Sequence, residues 1–135
     1  MEFVNIDFDK AGGLVPAIIQ DHRTGDVLML GFMNAVSLAE TQNSGEVVFF
    51  SRSRTKLWKK GESSGHVLKM HEIRVDCDAD ALLVRVEAVG PGVCHEGYRR
   101  CFFRALESDG TVKLTEERTF APEEVYGQGE QEKKA

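Results

Sequence analysis

At 135 residues with a net charge of −5, the chain has room for one hydrophobic core and carries the wrong overall sign for general nucleic-acid binding. Its composition, 41% hydrophobic and 29% charged, is that of an ordinary soluble protein, and no apolar run approaches the ~20 residues that span a bilayer. The opening residues Met1-Glu2-Phe3-Val4-Asn5 lack the basic and apolar regions of a signal peptide. All three cysteines lie between positions 77 and 101, an odd number that fits a reducing compartment better than a disulfide framework. A cytoplasmic protein with no membrane and no nucleic-acid partner is expected.

Along the chain, Leu14 to Gln20 reads as a strand, Asp21 to Asp26 as a turn, and Val27 to Phe32 as the returning strand. Asn34 is placed to cap a short helix to about Gln42, and Gly45 to end it. Val47 to Phe50 is β-prone and runs into Ser51-Arg52-Ser53-Arg54, followed by a polar loop over 60–66. Residues 67–75 form a further strand, with Val67, Ile73 and Val75 on one face at a period of two. Leu82 to Val89 is another, ended by Gly90-Pro91-Gly92, and 101–106 with 111–115 makes a hairpin around Ser108-Asp109-Gly110. The expected fold is α+β, predominantly β, in a single domain over residues 1–125, with a polar, disordered tail from 126 to 135. The role of residues 120–126, docking strand or tail, is left open.

The chemistry concentrates in one stretch: Asp76-Cys77-Asp78-Ala79-Asp80, then Cys94-His95, then Cys101. In an extended segment Asp76, Asp78 and Asp80 project to one side, where three crowded carboxylates repel unless a hard divalent cation such as magnesium neutralises them. A solvated acidic turn is the plain alternative. An EF-hand loop is a third reading, since Glu87 falls at the twelfth position from Asp76; Ala81 in place of the turn glycine and strand-like flanks oppose it.

The cysteines are separated by sixteen and six residues, unlike the C-x-x-C units of structural zinc sites. Three thiolates and an open position are the pattern of a catalytic zinc, which acidifies its water to a pKa of about 7. Three buried free cysteines acting as small hydrophobes are the alternative. His95 is a candidate fourth ligand or general base.

A basic island, Arg52, Arg54, Lys56, Lys59 and Lys60, interrupts the acidic chain and suits an anionic ligand or a solvated strand face. Arg52, Arg54 and Lys56 alternate, so a strand would line them up for forked bonds to phosphate. Trp58, the only tryptophan, is placed either to stack on a purine or to pack in the core. Gly61 and Gly65 bracket a loop whose N–H groups, with Ser63 and Ser64, suit a phosphate.

These motifs in this order, from Ser51-Arg52-Ser53-Arg54 through Lys60-Gly61-Glu62-Ser63-Ser64-Gly65-His66 and Asp76-Cys77-Asp78-Ala79-Asp80 to Cys94-His95 and Cys101-Phe102, resemble the phosphoribosyl-AMP cyclohydrolase family of histidine biosynthesis. Gly13-Leu14-Val15-Pro16-Ala17 and Met33-Asn34 extend the resemblance, which covers about residues 12 to 106. It implies hydrolytic opening of the adenine ring of phosphoribosyl-AMP between N1 and C6, in an interleaved homodimer. It further implies magnesium on Asp76, Asp78 and Asp80, and zinc on Cys77, Cys94 and Cys101 with Cys77 contributed across the dimer interface. On this reading His95 and then His66 are the candidates for moving the proton. Arg52, Arg54, Trp58, Lys60, Ser63 and Ser64 are expected to bind substrate. The chain departs from the family pattern at Ser63, where threonine is usual, and at Glu96 and Arg100 beside the proposed zinc ligands.

Two other classes are weighed beside it. A zinc-dependent nucleobase deaminase needs H-x-E and P-C-x-x-C motifs, and the chain has neither. A non-catalytic, metal-stabilised anion-binding module would use the basic island alone.

Overall fold

The structure is a computed structural model that describes residues 3–126. Its centre is a four-stranded sheet of β1 (Val15–Asp21), β2 (Val27–Met33), β5 (Leu68–Val75) and β6 (Leu82–Ala88) in the order β2-β1-β6-β5. β1 and β6 run parallel, and the other neighbours are antiparallel. A two-stranded hairpin, β3 (Val48–Ser51) with β4 (Lys56–Lys59), packs over one face, and a second, β7 (Arg104–Leu106) with β8 (Val112–Leu114), follows the cysteines. Two α-helices, α1 (Ala35–Ser44) and α2 (Pro122–Tyr126), and a short 3-10 helix at Asp9–Ala11 complete the regular structure of the described residues, so the domain is mostly β, as expected.

The core follows from strand alternation. Val15, Ala17 and Ile19 of β1 and Leu82, Val84 and Val86 of β6 turn inward at a period of two, meeting Phe49 and Trp58 from the β3–β4 hairpin. Gly31 is the point of closest approach, since a Cβ there would lie 2.5 Å from the Phe49 ring. Helix α1 docks differently, through hydroxyls at i and i+4. Thr41 Oγ1 accepts from Val48 N–H at 2.9 Å, while the Asn34 side chain and Ser37 form a reciprocal capping box. Gly45, left-handed at φ 76°, ends that helix where the sequence placed its stop.

Three local expectations are corrected. First, Arg52 and Arg54 do not alternate on a strand; they lie in the turn that joins Ser51 to Lys56, closed by Thr55 N–H on Ser51 O at 2.8 Å. Ser51 Oγ also accepts from Arg54 N–H, so a serine-rich segment bends by bonding its own backbone. Second, a bulge between Met70 and Glu72 breaks the alternation of β5. Leu68, Met70, Ile73 and Val75 therefore pack toward the core, and Val67 precedes the strand. Third, Asp76 to Asp80 is a turn between β5 and β6 and not an extended segment. Strands on both sides of it exclude an EF-hand. The tail expected from 126 lies outside the described residues except for Tyr126, which is buried at the end of α2.

Candidate active site

The acidic turn is built by its first residue. Asp76 Oδ1 accepts from Asp80 N–H at 3.0 Å and Ala81 N–H at 3.1 Å, and Ala79 takes a left-handed φ of 60°. The reversal gathers Asp76, Asp78 and Asp80 so that one oxygen from each lies within 4.8 Å of the others. Convergence thus comes from the turn, not from strand alternation. Lys10, which sequence reasoning missed, bridges Asp78 at 3.2 Å and Asp80 at 2.9 Å. The segment bearing it is docked by Asp7 N–H on Ala79 O at 2.7 Å.

The electrostatics are those of a crowded anion cluster. Hydrogen bonding to Asp80, then to Lys10, holds Asp78 below the usual carboxylate range. Asp80 is pushed up: Lys10, the strongest single influence, pulls it down, but Asp78, desolvation and Asp76 together outweigh that. Hard oxygen donors around an excess of negative charge fit a magnesium-type ion.

The second element is the cysteine loop. Cys94 N–H bonds Tyr98 O at 3.1 Å, Gly97 N–H returns to Cys94 O at 3.0 Å, and Cys101 N–H reaches Leu28 O of β2 at 2.7 Å. Tyr98 stacks on Phe103 with centroids 3.7 Å apart, and Cys94 and Cys101 pack against this pair. Arg99 clamps the loop to the β1–β2 turn, donating to Asp26 at 2.7 Å and Asp21 at 3.3 Å. Its neighbour Arg100 pairs with Glu116 at 3.0 Å.

The Cys94 thiol is pulled down from 9.0 to about 7 by the Cys101 sulfur, against the opposing effect of burial, with help from the Glu96 N–H and the Lys60 charge. A buried, thiolate-prone Cys94 beside the half-buried Cys101 fits a zinc-type ion. Cys77 is elsewhere: it is exposed on the acidic turn, and the described residues contain no cluster that joins it to Cys94 and Cys101.

The basic segment meets the cysteine loop through two residues. Lys60 is buried at 3% exposure and supplies a positive charge that Cys94 feels, against the opposing charge of Glu96. His66 contacts the strand-ending glycines, its Nδ1 lying 3.1 Å from Gly92 O. A carbonyl only accepts, so Nδ1 carries a proton, and in the neutral ring Nε2 holds the lone pair. The ring has its seat because Gly90, at φ 96°, has no side chain; a Cβ there would lie 2.5 Å from the imidazole. Phe120 meets the same ring edge-on at 5.0 Å, which gives the 120–126 segment a place against the site and not in a free tail. Ser64 Oγ accepts from His66 N–H at 3.1 Å, so that hydroxyl shapes the loop.

The remaining expected residues divide. Arg52 and Arg54 are exposed on the hairpin turn, with Arg52 lying over the Phe32 ring at 3.9 Å, and Ser63 is exposed on the following loop. His95 is half-buried beside Cys94. Trp58 is 2% exposed and packs against Phe49, so of its two roles the structure shows core packing. The Lys10 and Arg99 contacts had no local signal, although a basic residue two places before Cys101 was visible.

A fold that brings a thiol pair, a basic loop and a histidine of fixed tautomer together has the makings of a hydrolytic centre acting on an anionic substrate. A model of the family "Phosphoribosyl-AMP cyclohydrolase" matches residues 29–103. The chain is 56% identical to a phosphoribosyl-AMP cyclohydrolase of Solibacter usitatus over 124 residues, 92% of this chain and 98% of that protein. It is 51% identical to the enzyme of that name from Desulforapulum autotrophicum, over 91% of this chain and 98% of the relative. For that of Nitratidesulfovibrio vulgaris the identity is 52%, over 89% and 94%. The chain belongs to the phosphoribosyl-AMP cyclohydrolase family.

Proposed function

We propose that this protein opens the adenine ring of 1-(5-phosphoribosyl)-AMP by hydrolysis between N1 and C6, the third step of L-histidine biosynthesis. The oxygen of water becomes the carboxamide oxygen at C6, the exocyclic amine becomes its amide nitrogen, and N1 leaves with a proton. Family membership carries this reading, and the meeting of Lys60 and His66 with the cysteine loop supports it structurally.

Cys94 and Cys101 would hold zinc together with Cys77 of a second copy, and Asp76, Asp78 and Asp80 would hold magnesium. The separation of Cys77 from the other thiols within one chain supports sharing between subunits of a homodimer. So does an apolar cleft of about 350 Å³ beside the acidic turn, lined by Ile18, Val75, Asp76, Leu82 and Leu83. The chemistry that zinc supplies when bound is acidification of water to a pKa of about 7.

The chain's own groups do the rest. His95, next in sequence to Cys94, and His66, with Nε2 free to accept, are the groups that move the proton. The Lys60 charge adds a small push toward the Cys94 thiolate. Arg52, Arg54, Ser63 and Ser64 receive substrate phosphate oxygens, and Trp58 supports from the core the hairpin that carries the two arginines. The three cysteines, none of them in a disulfide, support a reducing compartment, the cytoplasm, as the location.

Two measurements test this. Phosphoribosyl-AMP should yield imidazole carboxamide absorbance that a chelator abolishes; no product from metal-replete protein would refute the activity. Inactive Cys77→Ala and Cys94→Ala proteins, once mixed and allowed to exchange subunits, should recover about a quarter of wild-type activity, because half the dimers carry one intact site. No recovery would refute the shared site and leave the activity standing.

A further inference from the structure

Away from the cysteines and the acidic turn, the sheet gathers another set of metal-ligating side chains. His22 follows the last residue of β1, His71 sits at the bulge of β5, and Glu87 lies on β6. His22 is fixed to the sheet by its N–H on Val86 O at 2.9 Å, and Arg85 Nη2 donates to its carbonyl at 2.9 Å. The bulge leaves His71 and Glu72 both exposed; Glu72 takes up the charges of Arg74 and Arg85, while His71 turns to Glu87.

His71 Nε2 stands 3.8 Å from Glu87 Oε1, beyond hydrogen-bonding reach. The His22 and His71 rings stack with centroids 3.9 Å apart at 11°. One ligand atom from each of the three residues lies within 4.8 Å of the others. Ligands held about 2.0–2.2 Å from a common ion are about 3–4 Å apart, so these atoms are close to coordination distance before any ion arrives.

We propose that His22, His71 and Glu87 form a binding site for a divalent transition-metal ion, pinning the end of β1 to the β5–β6 pair. Two imidazoles and a carboxylate suit zinc, nickel or iron(II), and they leave further positions for water. Nitrogen lone pairs lie in the ring planes, so binding tilts the parallel rings, a rotation that the broad χ2 of histidine permits. An ion held by the folded chain alone stabilises it by mass action.

The probe is zinc itself. Protein with its cysteine sites already zinc-loaded, in excess magnesium, is titrated with further zinc by calorimetry and by thermal unfolding. The wild type should take up a further equivalent per chain and unfold at a higher temperature. His22→Ala and His71→Ala should each lose that equivalent and the temperature shift, while the neighbouring Glu72→Gln keeps both. Unfolding without added zinc shows that the variants remain folded. No further equivalent in the wild type, or one retained in either histidine variant, overturns the site.

Discussion

The acidic turn and the cysteine loop are built in opposite ways. The turn draws its three carboxylates from five consecutive residues, leaves Asp76 and Asp78 exposed with Asp80 half-buried, and organises them with the side chain of Asp76. The cysteine loop brings two thiols to a largely buried place, and needs β2, the Tyr98–Phe103 stack and the Arg99 clamp to hold them. A donor set confined to one turn is complete within a chain. A set drawn from distant residues is only as complete as the packing makes it, and here Cys77 is left on the other site's turn. On the proposed assignment the two centres are linked by sequence, since the residue between two of the carboxylates, Cys77, would be the third thiol.

The contrast breaks most visibly on loss of a sulfur. Cys94→Ala should remove zinc and reduce turnover at least about a thousandfold, since nothing else in the loop replaces a thiolate ligand. Metal content by mass spectrometry and absorbance of the product check both. Asp78→Asn should keep the zinc and cost less, about ten- to a hundredfold, because two carboxylates remain and the turn keeps its Asp76 acceptor. Equal losses in the two variants, with zinc gone from both, would mean that the centres are not separately built.

The same contrast explains what could be read from the chain. The β1–β2 pair, α1 with its Asn34 and Gly45 ends, and the β7–β8 hairpin are local patterns, and the structure has them within a few residues. The bulge at His71 shows in the chain only as a change of apolar spacing, since Met70 and Ile73 both pack toward the core with His71 and Glu72 exposed between them. Arg52 and Arg54 alternate equally well in a strand or a turn; only the hydrogen-bonding serines distinguished the two. At the site, the three aspartates were legible as a cluster whatever their backbone. Lys10 and Arg99 were not, since their partners lie 68, 70 and 73 positions away and depend on the finished sheet.

A smaller effect is expected from the clamp. Arg99→Ala leaves Asp21 mostly buried without its cation and should cost about 1–2 kcal/mol, less than a fully buried pair because the guanidinium is about a third exposed. The pH dependence has a definite sign. Burial pushes Asp21 up, but the N–H groups of Thr24 and Arg23 and the Arg99 charge outweigh it, leaving the carboxyl below its ordinary 3.8. The unfolded chain therefore holds that proton more tightly, so the stability Asp21 supplies is present above pH 3.8 and lost as pH falls through its folded value. Chemical denaturation across the acid range should show a shallower decline in Asp21→Asn than in wild type; parallel curves would place the acid sensitivity elsewhere.

The smallest effect belongs to Lys10. Its ammonium lies 2.9 Å from Asp80 and 3.2 Å from Asp78, the place that the proposed divalent ion would take, and those two carboxylates hold it strongly in the charged form. An ion entering the turn has to displace this tethered charge, whose contacts are exposed and therefore individually weak. Lys10→Met keeps the length of the side chain and removes the competitor, so manganese, read by its electron paramagnetic resonance, should bind about threefold more tightly. The docking of the segment through Asp7 N–H on Ala79 O is left in place, so the variant isolates charge from anchoring. Weaker binding in Lys10→Met would reverse the assignment. Lys10 would then support the turn's geometry in the ion-bound protein, and the acidic turn would depend on distant packing as the cysteine loop does.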